Sequence, residues 1–303
     1  MRKPSVTILP KTPTNPSALS AKRGPVQSPP RSICYDFARF RAGRLLKQHH
    51  DQAFVLGTLK VGEADLLVTL LAENGGRVRG VAPSARRSRK RFGGALEPLT
   101  RVSARWSEKD GRELHRIESL DLTRSYAAMQ ADPARQAACA VLAEVAVAVA
   151  REGQPDPRGF RLLGAVLDAV DSGLDPWIAV RYFEFWTLRL HGMLPDLSTC
   201  FSCHRELGRD KTVWIWKGGE GLGCSECARS QGSACRQLDR EGRQFLDAAL
   251  ASSPNRMAPH RHACRPGGAL DHFLRSALES FVERPFRSYR HLTAATRSGS
   301  EKP

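Results

Sequence analysis

Residues 53–82 read AFVLGTLKVGEADLLVTLLAENGGRVRGVA, and this stretch decides the fold. Short runs rich in Val, Leu and Thr are broken at Val61-Gly62 and Asn74-Gly75-Gly76. Branched and aliphatic side chains suit a pleated backbone, and glycine supplies the positive φ that tight reversals require. Working outward, the same rhythm predicts strands at Ala53–Lys60, Asp65–Ala72, Arg77–Ala82, Thr100–Ser107 and Glu113–Ser119. Further breaks fall at Gly93-Gly94 and at a hairpin turn, Asp110-Gly111. Five short, closely spaced strands predict a small β-barrel, although their polar and apolar residues alternate imperfectly.

Beyond Asp132 the period becomes helical. Asp132-Pro133 is an N-cap and first-turn pair leading an Ala/Val/Leu-rich stretch to Arg151, which Gly153, Pro155 and Pro157 stop. A second helix over about Arg158–Ser172 aligns Phe160, Leu163, Leu167 and Val170 on one face. Asp175-Pro176 opens a third, which Gly192 and Pro195 end. Its Trp177, Val180, Phe183, Phe185, Trp186, Leu188 and Leu190 leave little polar surface, so it belongs in the core. Two more helices are expected at about Asp239–Ser252 and Ala269–Glu283.

The chain has 303 residues and a formal charge of +16, distributed unevenly. Residues 1–47 carry a net +9, 48–130 +4, 131–197 −3 and 198–303 +6. Such an excess favours a polyanion partner, because Lys and Arg near phosphates release condensed counterions. The longest apolar run, Ala137–Ala150, is interrupted by Glu144 and falls short of the roughly 18 residues of a membrane span. No secretory signal is visible, so a cytoplasmic protein is expected. Residues 1–32 hold seven prolines among Ser, Thr, Lys and Arg, which predicts a disordered basic tail.

Eight cysteines are too few for a disulfide scaffold at this length. Four of them form Cys200-Phe-Ser-Cys203 and, twenty residues later, Cys224-Ser-Glu-Cys227. Each Cys-x-x-Cys turn offers two thiolates to one tetrahedral Zn²⁺, and the intervening Val213–Trp216 and Gly218–Gly223 suit a short hairpin. One Zn²⁺ held by Cys200, Cys203, Cys224 and Cys227 is therefore expected. Four thiolates leave no position for an activated water, so the site is structural. Free thiols or a redox pair are the competing readings. Cys34, Cys139, Cys235 and Cys264 are expected to remain thiols.

Arg77, Arg79, Arg86, Arg87, Arg89, Lys90 and Arg91 place seven bases in fifteen residues without an acid. Arg77 and Arg79 share one face of a strand, and the others occupy the loop after it. A basic strand face leading into a basic loop can track a phosphate backbone, as small barrels do with single strands. A solvated loop is the plainer alternative. Phe92 is assigned to the core rather than to base stacking. There is no phosphate-binding loop, no His-Glu-x-x-His, no Gly-x-Ser-x-Gly and no clustered carboxylate set, so no enzyme is expected. His49-His50, and His260 and His262 with Cys264, read as surface groups rather than metal ligands.

Three stretches together resemble the RecO family of bacterial recombinational-repair proteins. They are Gly62-Glu-Ala-Asp-Leu-Leu-Val-Thr-Leu-Leu through Gly93-Gly-Ala-Leu-Glu-Pro-Leu-Thr, Gly192-Met-Leu-Pro-Asp-Leu-Ser-Thr-Cys-Phe-Ser-Cys, and Phe286-Arg-Ser-Tyr-Arg-His-Leu. The chain departs from that family with Pro83-Ser84, where Lys-Gly is frequent, and with His204, where Gly commonly follows the knuckle cysteine.

The resemblance implies a multidomain α+β protein with an N-terminal OB-type β-barrel and a C-terminal helical domain carrying an inserted zinc ribbon. With the charge and period boundaries above, this gives a basic tail at 1–47, the barrel at 48–125, and the helical domain at 126–292. The ribbon lies at 198–230 and a disordered end at 293–303. It further implies binding of single- and double-stranded DNA, annealing of complementary strands, and partnership with RecR. With RecR, such proteins help RecA load on DNA coated by single-strand binding protein (SSB), whose C-terminal tail they contact. A nucleoid-associated location in the bacterial cytoplasm follows. A zinc-ribbon RNA-binding or transcription-associated factor is the alternative, and a nuclease the weakest reading.

Overall fold

Strand β1, Lys47–Val61, is the spine of the N-terminal part and begins six residues before the first apolar run. The computed structural model describes residues 47–299 except 109–112, 127–128, 131, 209–211 and 233–234. The expected basic tail and the Asp110-Gly111 turn lie outside the described residues.

β1 is followed by β2 (Asp65–Ala72), β3 (Gly76–Ala82), a one-turn helix α1 (Arg89–Phe92), β4 (Arg101–Glu108) and β5 (His115–Arg124). The strands close into a barrel in the order β1-β2-β3-β5-β4, with β4 returning to β1. Closure between β3 and β5 is parallel and short, pairing Gly80 with His115 and Val81 with Arg116. A Cβ at Gly80 would stand 2.8 Å from the His115 carbonyl oxygen and 2.7 Å from Ile117 Cδ1, so the bare glycine permits this approach.

The imperfect alternation has a physical cause. Ala53 and Val55 point into the barrel, where they pack with Val68, Leu70, Val78, Val102, Trp106 and Ile117. Phe54 and Leu56, on the other face, are equally buried, because they join the core of the helical part. A strand covered on both sides reads as a continuous apolar run. Leu56 also sits at a register shift between Val55 and Gly57 of the β1–β2 ladder.

Three central helices begin alike. In α2 (Pro133–Val149), α3 (Pro157–Asp171) and α4 (Pro176–Leu190), an Asp accepts a bond from a first-turn amide while proline occupies the first helical position. The proline has no amide to leave unsatisfied there, and its φ already fits the helix. Pro157 therefore starts α3 as well as following the end of α2. Residues Trp177–Phe185 of α4 are buried throughout, so this helix is the centre of the helical core.

The remainder wraps around α4. A three-stranded sheet, ordered β7-β6-β8, comprises β6 (Val213–Ile215), β7 (Leu222–Gly223) and β8 (Arg236–Leu238), with helix α5 (Ser225–Gln231) between the last two. Helices α6 (Arg240–Ala251) and α7 (Ala269–Val282) match the expected pair. α8 runs Tyr289–Gly299, so residues 293–299 of the expected disordered end are helical, while 300–303 lie outside the described residues. Buried Leu292 and partly buried Ala295 face the helical core and hold this helix.

The family-like stretch from Phe286 is an anchor. The Glu144 carboxylate of α2 accepts from the amides of Arg287 and Ser288 at 3.1 and 2.8 Å and from the Ser288 hydroxyl at 2.5 Å. Tyr289 donates its hydroxyl to Glu184 of α4. Glu184 in turn lies 2.9 Å from Arg181, whose Nη1 is also 2.5 Å from Asp271 of α7. Arg181 and Glu184 are fully buried. Two carboxylates share one guanidinium there, and burial holds the Glu184 carboxyl up, at about 7, despite Arg181 beside it.

Candidate nucleic-acid interface and metal centre

The knuckle turns bring four sulfurs together from separate parts of the chain. Cys200 and Cys203 precede β6, and Cys224 and Cys227 flank the start of α5. All four Sγ atoms lie within 4.8 Å of one another, with Cys203 and Cys224 3.9 Å apart. Tetrahedral Zn–S bonds of about 2.3 Å place the sulfurs about 3.8 Å apart, so the cluster needs only slight contraction around such an ion. Backbone amides already point at sulfur. The Cys224 amide lies 3.3 Å from Cys200 Sγ, and the Cys227 amide 3.4 Å from Cys224 Sγ. Burial opposes ionisation of Cys200, but the amides of Cys203, Cys224 and Ser202 outweigh it and hold the thiol down to about 6. The four cysteines can thus hold a metal ion, and their soft, closed donor set suits a structural one.

The turn geometry holds despite the change of residue. His204 adopts φ +60°, the left-handed conformation that glycine takes at least cost. Its amide donates to the Cys200 carbonyl at 2.8 Å, and the Cys200 amide to the Arg205 carbonyl at 2.8 Å. Phe201, 46% exposed, tilts against Trp216 at 5.9 Å.

The seven basic residues divide into three groups. Arg87, Arg89 and Lys90 are exposed on the loop and on α1. Arg86 and Arg91 are tied to the backbone: Arg86 donates to the Glu63 carbonyl at 2.6 Å, and Arg91 to the Pro83 carbonyl at 2.7 Å. Arg91 also covers the ring of Phe92 at 5.0 Å, and Phe92 is buried in the barrel core as expected. Arg77 and Arg79 share the outer face of β3, and both approach Glu152 just past the end of α2. In the loop, Ser84 takes φ +54°, so the position where the resembled family often has glycine keeps a glycine-like backbone.

Sequence reasoning missed Glu152. It stands 75 positions from Arg77 in a segment legible only as a helix stop, and the contact exists because of the barrel's docking onto α2. The other candidates stay apart from any metal-holding group among the described residues. His49 stacks on Trp106 and meets Glu108 at 3.1 Å, and His50 bonds to Ser103. Cys139 and Cys264 are unpaired thiols whose burial pushes their pKa up, Cys139 to about 12. Among the described residues no helix is long and apolar enough to cross a membrane.

Comparison with known proteins covers both parts. The family described as recombination protein O N terminal matches residues 46–126, and recombination protein O C terminal matches residues 130–290. The DNA repair protein RecO of Koribacter versatilis is 35% identical over 240 residues, spanning 79% of this chain and 95% of the relative. That of Anaeromyxobacter sp. strain K is 40% identical over 174 residues, spanning 57% and 68%. The RecO of Geobacter sulfurreducens is 33% identical over 178 residues, spanning 59% and 72%.

Proposed function

Because the chain belongs to the RecO family of DNA repair proteins and so has a role in recombinational repair, we propose that it acts as a recombination mediator without catalytic turnover. It binds single- and double-stranded DNA, anneals complementary strands, and with RecR helps RecA load on DNA coated by SSB, whose C-terminal tail it contacts. It works in the bacterial cytoplasm, at the nucleoid. The observation that carries this reading is the exposed cationic loop of Arg87, Arg89 and Lys90, which leads out of the barrel from a strand bearing Arg77 and Arg79. The barrel at 48–125 is of OB type, a fold whose open face and loops suit a single strand. Arg86 and Arg91 shape the loop while adding positive potential.

Annealing by such a face requires no bond making. Two polyanions repel one another, and guanidinium groups near both strands lower that repulsion until stacking and pairing drive the reaction. One structural Zn²⁺ at Cys200, Cys203, Cys224 and Cys227 completes a ribbon built on residues 198–230. When bound, it ties two knuckles together and supplies folding free energy instead of reactivity. The four cysteines contribute thiolates, and the surrounding amides steady their charge.

Complementary oligonucleotides mixed with the protein test the proposal. Duplex formation is expected to accelerate severalfold over the spontaneous rate, both on bare strands and on strands coated with SSB. Absence of acceleration in both cases would reject the mediator reading. Tighter binding to RNA than to DNA of the same sequence would favour an RNA-binding factor instead.

A further inference from the structure

A single carboxylate oxygen approaches both strand arginines. Glu152 Oε1 lies 3.7 Å from Arg77 Nη2 and 3.8 Å from Arg79 Nη1. The acid is fixed there by its backbone. The Arg77 amide donates to the Arg151 carbonyl at 3.0 Å, and the Gly153 amide donates back to the Arg77 carbonyl at 3.3 Å. Bridges pair Glu152 with both Gly76 and Arg77, so residues 151–153 extend the edge of β3. Gly76 is required for this approach. Its φ is +65°, and a Cβ on it would lie 2.0 Å from the Gln154 carbonyl oxygen. Arg77 is held from the other side too, donating Nη1 to the Val147 carbonyl at 2.8 Å. Its guanidinium therefore cannot turn away from the acid without breaking a second bond.

We propose that Glu152 is a built-in phosphate surrogate. It holds Arg77 and Arg79 in register on β3 and lowers the affinity of this face until a backbone phosphate competes for the same guanidinium groups. The inference rests on the reading of β3 and its loop as the DNA face. The side chains of Glu152 and Arg79 are 47% and 44% exposed, so a strand lying across β3 reaches them. Exposed pairs at such distances are weak, and phosphate competes for them readily. The loop cations Arg87, Arg89 and Lys90, without an acid set among them, engage a strand first. Arg79 follows as the strand settles onto the barrel.

Glu152→Gln in the full chain tests this directly, with a fluorescent oligothymidylate as probe. Affinity at low salt is expected to rise about threefold to tenfold, as two weak pairs are released. The gain is expected to shrink as salt rises and screens the freed arginines. The slope of log affinity against log salt should steepen by less than about 0.7, the value for one neutralised phosphate on a single strand, because Arg79 meets the strand in both proteins. Glu152→Asp, which retracts the carboxylate by one methylene, should fall between wild type and Gln. Glu241→Gln, at an exposed position of α6, carries the same change of net charge and should leave affinity unchanged.

If Glu152 only clamps the barrel to α2, the Gln variant would melt earlier and bind no more tightly, which overturns the proposal. An equal gain in Glu241→Gln would also overturn it, by reducing the effect to net charge. A wild-type protein with no affinity for the oligonucleotide would instead defeat the DNA-binding reading beneath it.

Discussion

Cys200→Ser is expected to remove tight metal binding, taking the zinc content of freshly reduced, purified protein from about one ion per chain to far below one. Three thiolates still bind zinc weakly, but the fourth sulfur here also accepts the Cys224 amide that joins the two knuckles. In small zinc domains the metal contributes about 10–16 kcal/mol of folding free energy, so its loss melts local structure. The sheet formed by β6, β7 and β8 should lose protection from hydrogen exchange, while β1–β5 retain theirs. Cys235→Ser removes a partly buried thiol outside the cluster and should leave the metal in place. Zinc retained by Cys200→Ser, or absent from reduced wild type, would contradict the assignment.

Arg181→Met should have the largest effect on global stability, a loss of about 3–5 kcal/mol, because it leaves buried carboxylates without their counter-charge. Glu184 and Asp271 both lean on that guanidinium, and two of its nitrogens, Nε and Nη2, find no hydrogen-bond partner among the described residues. The sign of the pH dependence follows from Glu184. Its carboxyl is raised from 4.5 to about 7 on folding, chiefly by burial. The folded state therefore binds a proton more readily, and the contribution of this group is lost as pH rises from 4.5 towards 7. Without Arg181 the folded-state value climbs further. The variant should consequently be least impaired near pH 5 and most impaired above neutrality. Urea denaturation at both pH values checks this, and an equal deficit at each would mean that Glu184 is not the titrating group.

Much of the fold was legible because its signals are local. The Asp-Pro pairs at 132–133 and 175–176 mark helix starts through side-chain caps and a fixed φ. The pair at 156–157 carries the same chemistry, and the start expected at Arg158 falls one residue late only because Pro157 also serves as a stop for the preceding helix. The cysteine cluster was equally plain, since each knuckle closes within four residues and only the joining hairpin had to be supplied. The sheet beside it gains its third strand, β8, from beyond the expected 198–230 segment, where nothing in Arg236-Gln-Leu announces pairing with Val213–Ile215.

What escaped depended on distant packing. The run Ala53-Phe-Val-Leu serves two cores, so its period could not be read without knowing that helices cover the outside of the barrel. Helix α8 is short and polar; besides Leu292 and Ala295 on the core, Glu184 holds Tyr289 and Glu144 holds the backbone just before the helix, both from far along the chain. The two departures from the family pattern fall at Ser84 and His204. Both retain positive φ, so the backbone path is kept at a modest steric cost.

The barrel's electrostatic role is the claim on which the account depends, and the salt dependence of oligonucleotide binding tests it most directly. With about five phosphate contacts on a single strand, log affinity should fall against log salt with a slope near −3.5. Replacing Arg87, Arg89 and Lys90 together with Ala should flatten that slope by about 2, while the barrel stays folded. A slope unchanged by the triple substitution would contradict the account.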